Sequence, residues 1–286
     1  MQDHPIRKPI AVVCILWIIC FILRMAEYLL LRTDQTILGE AFIHKLLGIF
    51  VLYLAAKHWR FTPAQLGLPK KNRAAGFTKG FLFGIFVFAI AYGTEIAVSK
   101  SLNTFAGLEV YVSAYAIDGN IGNQTGMIFF ALCILGNLIN VLMEEGIFRG
   151  LFPAILEKKY SLLISALISS LLFGIWHIMA PFRSFLDGNS SLSGFLLTSL
   201  MLIATSAIVG FKFSLMTKLT GSLYMSMGDH FVNNTIVNIL HVVSTTGADE
   251  GISLRVAIAQ SVSFLAVLAV NLIRNKKEKI CRSVDC

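Results

Sequence analysis

The fold of this chain is set by one stretch, GMIFFALCILGNLINVLMEEGIFRG, which covers residues 126–150. Its first part, residues 126–143, is apolar and long enough to form a membrane helix. Two adjacent carboxylates, Glu144 and Glu145, follow this run, and Arg149 comes one turn later. A charged side chain at the bilayer centre costs about 2.5–3.5 kcal/mol on insertion scales, and such a residue marks a functional site by default. The stretch therefore predicts a membrane protein with a polar site at the end of this helix.

Helical spacing gives the charged residues different roles. Glu145 and Arg149 stand at i and i+4, where side chains on a helix can pair. Glu144 lies one position round the helix and cannot share the arginine in the same geometry. Asn137 and Asn140 precede it at i, i+3, i+7 spacing, so the three form a polar stripe that must face protein or water. Glu144 is left available for chemistry, unless the stretch is only a charged helix end at the membrane surface.

The composition supports the same class of protein. Of the 286 residues, 56% are hydrophobic and 14% are charged, whereas a soluble domain has about 25% charged residues. The net charge of +8 comes without a basic tract interleaved with aromatic residues, so we expect no nucleic-acid partner. The five cysteines lie in apolar runs or in the basic C-terminal tail, and we expect no disulfide framework.

Eight apolar runs in the chain have about the length of a spanning helix. They predict an all-α, polytopic membrane bundle of about eight transmembrane helices: Pro9–Leu31, Ala41–Lys57, Phe77–Val98, Gly126–Met143, Ser161–Ala180, Gly194–Phe211, Gly221–Val243 and Ile252–Ile273. The polar segments Phe61–Arg73 and Ser101–Thr125 are predicted to be connections. We divide the chain into helices 1–3 with their loops (1–125), a central core (126–243), and the last helix with a basic tail (244–286).

Basic residues are distributed unevenly along these helices. Most of the 24 Lys and Arg residues fall in the N-terminal segment, in alternate loops and in the C-terminal tail. Cytoplasmic segments of membrane proteins carry such an excess, so we expect both termini in the cytoplasm. This topology places Glu144 and Arg149 toward the cytoplasmic end of the fourth helix.

A histidine ends the apolar run FGIWH, residues 173–177, in the fifth predicted helix. A lone histidine on an apolar face is more often a packing residue than a ligand or a base, so His177 is only a candidate by itself. Phe173 and Trp176 are interpreted as ordinary core or lipid-facing aromatics.

A second polar motif, DHFVNN, covers residues 229–234 in the seventh predicted helix. His230 and Asn234 are one turn apart on the same face, and Asn238 and His241 extend that face. Polar groups in hydrocarbon need partners, and hydrogen bonds between helices are the structural alternative to catalysis. Asp229 and Asn233 lie on the neighbouring face and fit that structural role.

Taken together, a carboxylate, two histidines and an amide are the groups that activate water against a carbonyl. Glu144 desolvated among helices is a candidate general base. His177 is a candidate to share the water or to protonate the leaving amine. His230 with Asn234 can donate hydrogen bonds to a developing oxyanion, which is worth about 3–4 kcal/mol per donor.

Metal binding is the competing explanation for the same residues. Glu144, His177 and His230 could bind zinc and leave a position open for water. The helical His-Glu-x-x-His signature and Cys-x-x-Cys pairs are absent from the sequence, so its spacing does not require a metal. We expect no cofactor, with zinc as the alternative.

The three motifs, in this order on successive membrane helices, resemble the CPBP family. That family comprises CAAX prenyl proteases of the Rce1 type and bacteriocin-processing or immunity (Abi) proteins. The motifs here are EEGIFR (144–149), FGIWH (173–177) and HFVNN (230–234), and the resemblance covers roughly residues 126–243.

The resemblance implies an eight-helix intramembrane endopeptidase whose cavity opens toward the cytoplasm. Carried over by position, Glu144 is the general base, assisted by His177, while His230 and Asn234 form the oxyanion site. Glu145 and Arg149 are structural. The family has been described as metalloproteases, and a glutamate-dependent mechanism without metal fits these residues better.

The short loops resemble the bacterial branch of the family, which implies a bacterial cytoplasmic membrane and makes a prenylated substrate doubtful. A peptide pheromone, a bacteriocin leader or a membrane-protein partner is the expected substrate, beside membrane lipid. Two alternatives stay open: a non-catalytic immunity or regulatory protein of the same family, and a small transporter that uses the buried polar stripe as a path.

Overall fold

The computed structural model describes residues 6–113 and 122–284, with side chains described as far as residue 277. The chain forms a mostly helical bundle. Its helices, in chain order, are α1 (Pro9–Ala26), α2 (Ile43–His58), α3 (Arg73–Ser101), α4 (Met127–Glu145), α5 (Phe152–Leu156), α6 (Leu162–Trp176), α7 (Met179–Leu186), α8 (Leu192–Thr220), α9 (Tyr224–Ile239) and α10 (Ile252–Val284). The described structure also contains two strands, β1 (Phe105–Val110) and β2 (Leu240–Ser244).

The predicted polytopic membrane bundle is confirmed, whereas the predicted count of eight spans is not. In the described part of the chain, six helical stretches are long and apolar enough to cross a membrane: Pro9–Leu31, Arg73–Ser101, Met127–Leu156, Leu162–Leu186, Leu192–Thr220 and Ile252–Lys277. Helices α2 and α9 occupy the other two predicted spans, and each has 16 residues. At 1.5 Å per residue they are about 24 Å long, shorter than the roughly 30 Å of a bilayer core.

The sequence predicts that the fourth helix ends at the charged motif, but the helix continues beyond it. A π-helical turn, Gly146–Leu151, connects α4 to α5, so the helical stretch runs from Met127 to Leu156. π-helical turns are rare in proteins. Where a single one interrupts an α-helix, it frequently lies at a functional site. Glu144 therefore lies near the middle of a long span rather than at its cytoplasmic end. The apolar run ends there in sequence, but the helix continues because the charges find partners inside the protein.

The seventh predicted helix ends earlier than expected. Helix α9 stops at Ile239, and β2 pairs antiparallel with β1, which lies in the segment predicted to be a loop. The bundle is therefore mostly helical, as predicted, and carries one small two-stranded sheet. His241 belongs to β2 and is not on the helical face of His230 and Asn234, which corrects the stripe predicted from spacing.

A cluster of charges at the sheet fixes this end of the bundle. The His241 ring stacks on Tyr111 with 3.8 Å between the ring centroids, and its Nδ1 lies 3.0 Å from Asp249 Oδ2. Arg255 binds Asp249 and Glu95 with both ends of its guanidinium. Burial raises the pKa of Asp249, but hydrogen bonds from His241 and Arg255 outweigh it and lower the pKa overall. His241 is therefore a packing residue of the sheet.

Helix α9, which carries His230, packs closely on α3 through glycines. A Cβ atom added at Gly228 would clash with the Phe77 carbonyl oxygen and lie 2.6 Å from the Phe81 backbone nitrogen. One added at Gly80 would clash with the backbone of Met225. Small residues are what allow membrane helices to approach with their backbones in contact. These glycines thus set the position of α9 against the rest of the bundle.

We predict that Gly228→Ala destabilises the protein by about 1–3 kcal/mol, because the added methyl group meets backbone that cannot move aside. Gly93→Ala on α3 is the matched control, since nothing lies within 4 Å of the added atom. That control should be neutral or stabilise by up to about 1 kcal/mol. Thermal unfolding of the detergent-solubilised variants measures both. Equal midpoints for the two variants would contradict the close packing of α3 on α9.

Candidate active site

His230 of α9 connects the two glutamates of α4. Its Nδ1 lies 3.0 Å from Glu145 Oε1, and its Nε2 lies 3.6 Å from Glu144 Oε2. All three side chains are buried. The first and third sequence motifs, 85 residues apart for His230 and Glu145, are thus brought together in one polar site inside the bundle.

Glu144 is held by donors from three helices. Trp176 donates its indole N–H to Oε1 at 3.0 Å, and Asn140 donates to Oε2 at 3.4 Å. Arg24 of α1 approaches Oε1 at 3.9 Å. Buried charged groups need such partners, since an isolated carboxylate in an apolar interior is very costly. The polar stripe predicted from Asn137, Asn140 and Glu144 is present, and all three residues are buried.

His177 is the residue that ends α6. Its Nδ1 lies 2.8 Å from the carbonyl oxygen of Phe173. Since a carbonyl only accepts hydrogen bonds, Nδ1 carries a hydrogen, and in the neutral ring Nε2 is then a free acceptor. Within the described side chains, His177 makes no direct hydrogen bond to Glu144. A half-buried histidine with a free Nε2 can take a proton from water or pass one to an amine.

The pair predicted from i, i+4 spacing is present between Glu145 and Arg149, with 3.4 Å between Oε1 and Nη1. The guanidinium also lies over the Phe173 ring, 3.8 Å from its centroid, and its Nε donates to the Gly210 carbonyl oxygen at 3.4 Å. A Cβ atom at Gly210 would lie 2.7 Å from Arg149 Nη2. Arg149 is therefore clamped between helices by charge, by an aromatic face and by close packing.

Asn234, one turn after His230, offers unused donors. Asn233 Nδ2 donates to Asn234 Oδ1 at 2.9 Å, so the oxygen of Asn234 is occupied. Its Nδ2 atom makes no hydrogen bond within residues 6–113 and 122–277. Asn234 is half-buried, so this amide can reach an acceptor that enters the site. Asp229, which the sequence predicts to hydrogen-bond between helices, pairs with Lys212 of α8 at 2.7 Å.

A comparison with known protein families matches the part of the chain that contains the three sequence motifs. The family model for type II CAAX prenyl endopeptidase Rce1-like proteins matches residues 126–236. Over these residues the chain is similar to Rce1-like proteins. Its apolar helices indicate an integral membrane protein, and one segment of it resembles an endopeptidase family. No curated protein matches the chain.

Two residues of the site were missed from the sequence. Arg24, a basic residue within the first predicted helix, lies buried over the Trp176 ring, 4.6 Å from its centroid, and near Glu144. An arginine inside an apolar span is itself a signal of a functional site. Trp176, which the sequence predicts to be an ordinary core or lipid-facing aromatic, instead donates to Glu144. Nothing in its spacing could reveal that contact. Arg24 lies outside the Rce1-like segment, so the first helix also contributes to the site.

A small cleft of about 20 Å³ lies at the beginning of α4 and the end of α9, lined in part by Phe129, Cys133, Asn137 and Asn238. The Asn137 side of this cleft continues along α4 to Glu144, two turns further on.

The cleft lies at the end of the bundle opposite the basic loops. Helix α9 begins where Tyr224 donates to the Pro69 carbonyl oxygen, beside Lys70, and it ends at the cleft. If the basic end faces the cytoplasm, as the charge distribution predicts, the cleft opens on the other side of the membrane. This differs from the cytoplasmic cavity that the family resemblance implies.

We predict that Arg149→Met alone costs about 3–5 kcal/mol of stability, because it leaves the buried Glu145 carboxylate with His230 as its main partner. The double variant Glu145→Gln/Arg149→Met removes the charge from both positions and should recover most of that loss. Unfolding of the two variants and the wild type in detergent measures the difference. A double variant no more stable than Arg149→Met would contradict the importance of this pair.

Proposed function

We propose that this protein is an intramembrane endopeptidase that hydrolyses peptide bonds of membrane-associated peptides or proteins through water activated by Glu144. One observation carries the proposal. Glu144 and His230 meet in the middle of a membrane bundle, and Asn234, with its free amide, follows His230 by one helical turn, within the segment that matches an endopeptidase family. A buried carboxylate beside hydrogen-bond donors is what hydrolysis of an amide by activated water requires.

The proposed reaction begins with a water molecule between Glu144 and the scissile carbonyl. Glu144 takes a proton from the water, the water oxygen bonds to the carbonyl carbon, and the C=O electron pair moves to the oxygen. When this intermediate collapses, the C–N bond breaks and the amine leaves with a proton supplied by Glu144 or through Nε2 of His177. One peptide and one water give one carboxylic acid and one amine.

The oxyanion of that intermediate is assigned to Asn234 and His230. Asn234 can donate from its free amide in any protonation state. His230 commits its Nδ1 hydrogen to Glu145, so it can donate from Nε2 only as an imidazolium. The distance of 3.6 Å from Nε2 to Glu144 Oε2 leaves this nitrogen available to a substrate oxygen. Glu145 and Arg149 are proposed to hold His230 in place.

A metal-free reaction is part of the proposal, with zinc as the alternative. Within the described residues, no three His, Cys, Asp or Glu side chains are grouped so that they could hold a metal ion. His177 and His230 each commit Nδ1 to a hydrogen bond, so Nε2 is the nitrogen of each ring that a metal would use in the zinc alternative. The proposed reaction assigns no step to a metal.

The substrate is proposed to be a peptide pheromone, a bacteriocin leader or a membrane protein rather than a prenylated protein, as expected for a bacterial member of the family. The proposed location is the bacterial cytoplasmic membrane with both termini inside. A non-catalytic immunity protein or a transporter would use the same polar residues without cutting a peptide, so new peptide ends distinguish these functions.

We predict that Glu144→Gln reduces cleavage by about 10²–10⁴-fold, because the amide cannot take the proton from water. Peptide termini are compared in membranes that carry the wild type, Glu144→Gln or the exposed control Glu157→Gln at equal abundance, each with and without a chelator. Termini that disappear only with Glu144→Gln and survive chelation support the proposal and identify substrates. Loss under chelation supports the zinc mechanism. Identical termini in all membranes contradict proteolysis and favour the immunity role.

The orientation of the cleft has its own test in a cysteine-free background. Lys70→Cys at the basic end and Ala248→Cys beside the sheet are both at exposed positions. The charge distribution predicts that a membrane-impermeant maleimide labels Ala248→Cys in intact cells and Lys70→Cys only after permeabilisation. The reverse pattern would mean that the cleft faces the cytoplasm, as in the expectation from the family.

A further inference from the structure

A buried lysine outside the catalytic motifs lies at the centre of a second polar network. Lys212 of α8 is fully buried, and its ammonium group has three acceptors on two other helices. Asp229 Oδ2 lies at 2.7 Å, Gln260 Oε1 at 2.8 Å and Ser263 Oγ at 3.1 Å. An ammonium group donates hydrogen bonds and accepts none, so all three of its hydrogens have a partner.

This lysine fixes the direction of a chain of amides that leads to the site. Because Lys212 only donates, Gln260 must turn its oxygen toward Lys212 and its nitrogen away. Gln260 Nε2 donates to Asn233 Oδ1 at 2.6 Å. Asn233 therefore turns its own nitrogen onward and donates to Asn234 Oδ1 at 2.9 Å. The last amide in the chain is left with its nitrogen free.

We propose that Lys212, Gln260 and Asn233 are positioning residues that hold Asn234 with its N–H groups toward the substrate. An asparagine side chain can be turned by half a rotation at little steric cost, which would present its oxygen to the developing oxyanion. Only the hydrogen-bond direction distinguishes the two orientations. The chain from Lys212 selects the donor orientation, and hydrogen bonds in such a chain also polarise one another. The inference rests on the proposed function, since it concerns the oxyanion site.

The hydrogen-bonded chain Lys212–Gln260–Asn233–Asn234, called the relay below, also assigns a role to the last helix. Gln260 and Ser263 lie on α10, beyond the matched residues 126–236. Their contacts with Lys212 and Asn233 connect α10 to both α8 and α9. The catalytic motifs therefore depend on a residue that no motif includes.

Two substitutions of nearly unchanged size reverse the chain. Glutamate at position 260 only accepts, so in Gln260→Glu it still binds Lys212 but forces Asn233 to turn its nitrogen back toward α10. Asn234 must then donate to Asn233 and present its oxygen to the site. Asn233→Asp has the same consequence, because the aspartate accepts from both Gln260 and Asn234.

The test measures kcat and KM of the full-length protein reconstituted in liposomes. The probe is an internally quenched peptide that spans a site whose cleavage is lost with Glu144→Gln. Loss of one oxyanion donor lowers kcat by about 10²–10³-fold in hydrolases, and we expect a loss of this size for Gln260→Glu and Asn233→Asp with KM little changed. Gln260→Met, which cuts the chain without reversing it, should lose less. Unfolding midpoints show whether each variant is folded.

The test depends on which of the two variants at position 260, Gln260→Glu or Gln260→Met, has the higher cleavage activity. A purely structural role predicts that Gln260→Glu, which retains an acceptor for Lys212, is more active than Gln260→Met. If Gln260→Glu is more active than Gln260→Met and both variants are folded, the proposed orientation of Asn234 by the Lys212 chain is overturned. The proposed function still stands in that case, because cleavage is lost with Glu144→Gln. Absence of any cleavage that depends on Glu144 overturns the proposed function and the relay with it. Gln260→Glu slower than Gln260→Met, with both folded, supports the relay.

Discussion

Charges buried inside a membrane bundle must be neutralised or hydrogen-bonded, and much of this structure follows from that constraint. Glu144, Glu145 and Arg149 stand within two turns of one helical stretch, and no single neighbour can satisfy all three. Besides the partners on the same stretch, partners therefore come from several other helices. His230 comes from α9, Trp176 from α6 and Arg24 from α1. The carboxylates thus act as the point at which the helices of the bundle converge.

The same constraint explains why the site is rigid. Glu145 binds both His230 and Arg149, and Arg149 lies against the face of Phe173, so each side chain limits the freedom of the next. A buried ion pair contributes little net stability compared with apolar residues of the same size, but it does fix geometry when its partners are hydrogen-bonded. Catalysis benefits from such fixed groups, because no reorganisation is then needed when charge develops.

Two layers of polar residues surround the proposed reaction centre. The inner layer contains Glu144, His177, His230 and Asn234, and the outer layer contains groups whose direction sets theirs. Glu145 accepts from Nδ1 of His230, the carbonyl of Phe173 accepts from Nδ1 of His177, and Asn233 donates to Asn234. In each case the outer group decides which atom of the inner residue is free to meet a substrate. The Lys212 network extends this principle to α8 and α10.

The sequence by itself determined the membrane class, most of the helices, the Glu145–Arg149 pair and the stripe of Asn137, Asn140 and Glu144. Composition and helical spacing are local properties, and they fix which residues share a helix and a face. Only the tertiary structure decided where those helices end and which residues meet across the bundle. The continuation past Glu145, the strand at Leu240–Ser244 and the contacts of Arg24, Trp176 and Lys212 all depend on partners more than 15 residues away. Spacing along one helix carries no information about such partners, because their distance is set by the packing of separate helices.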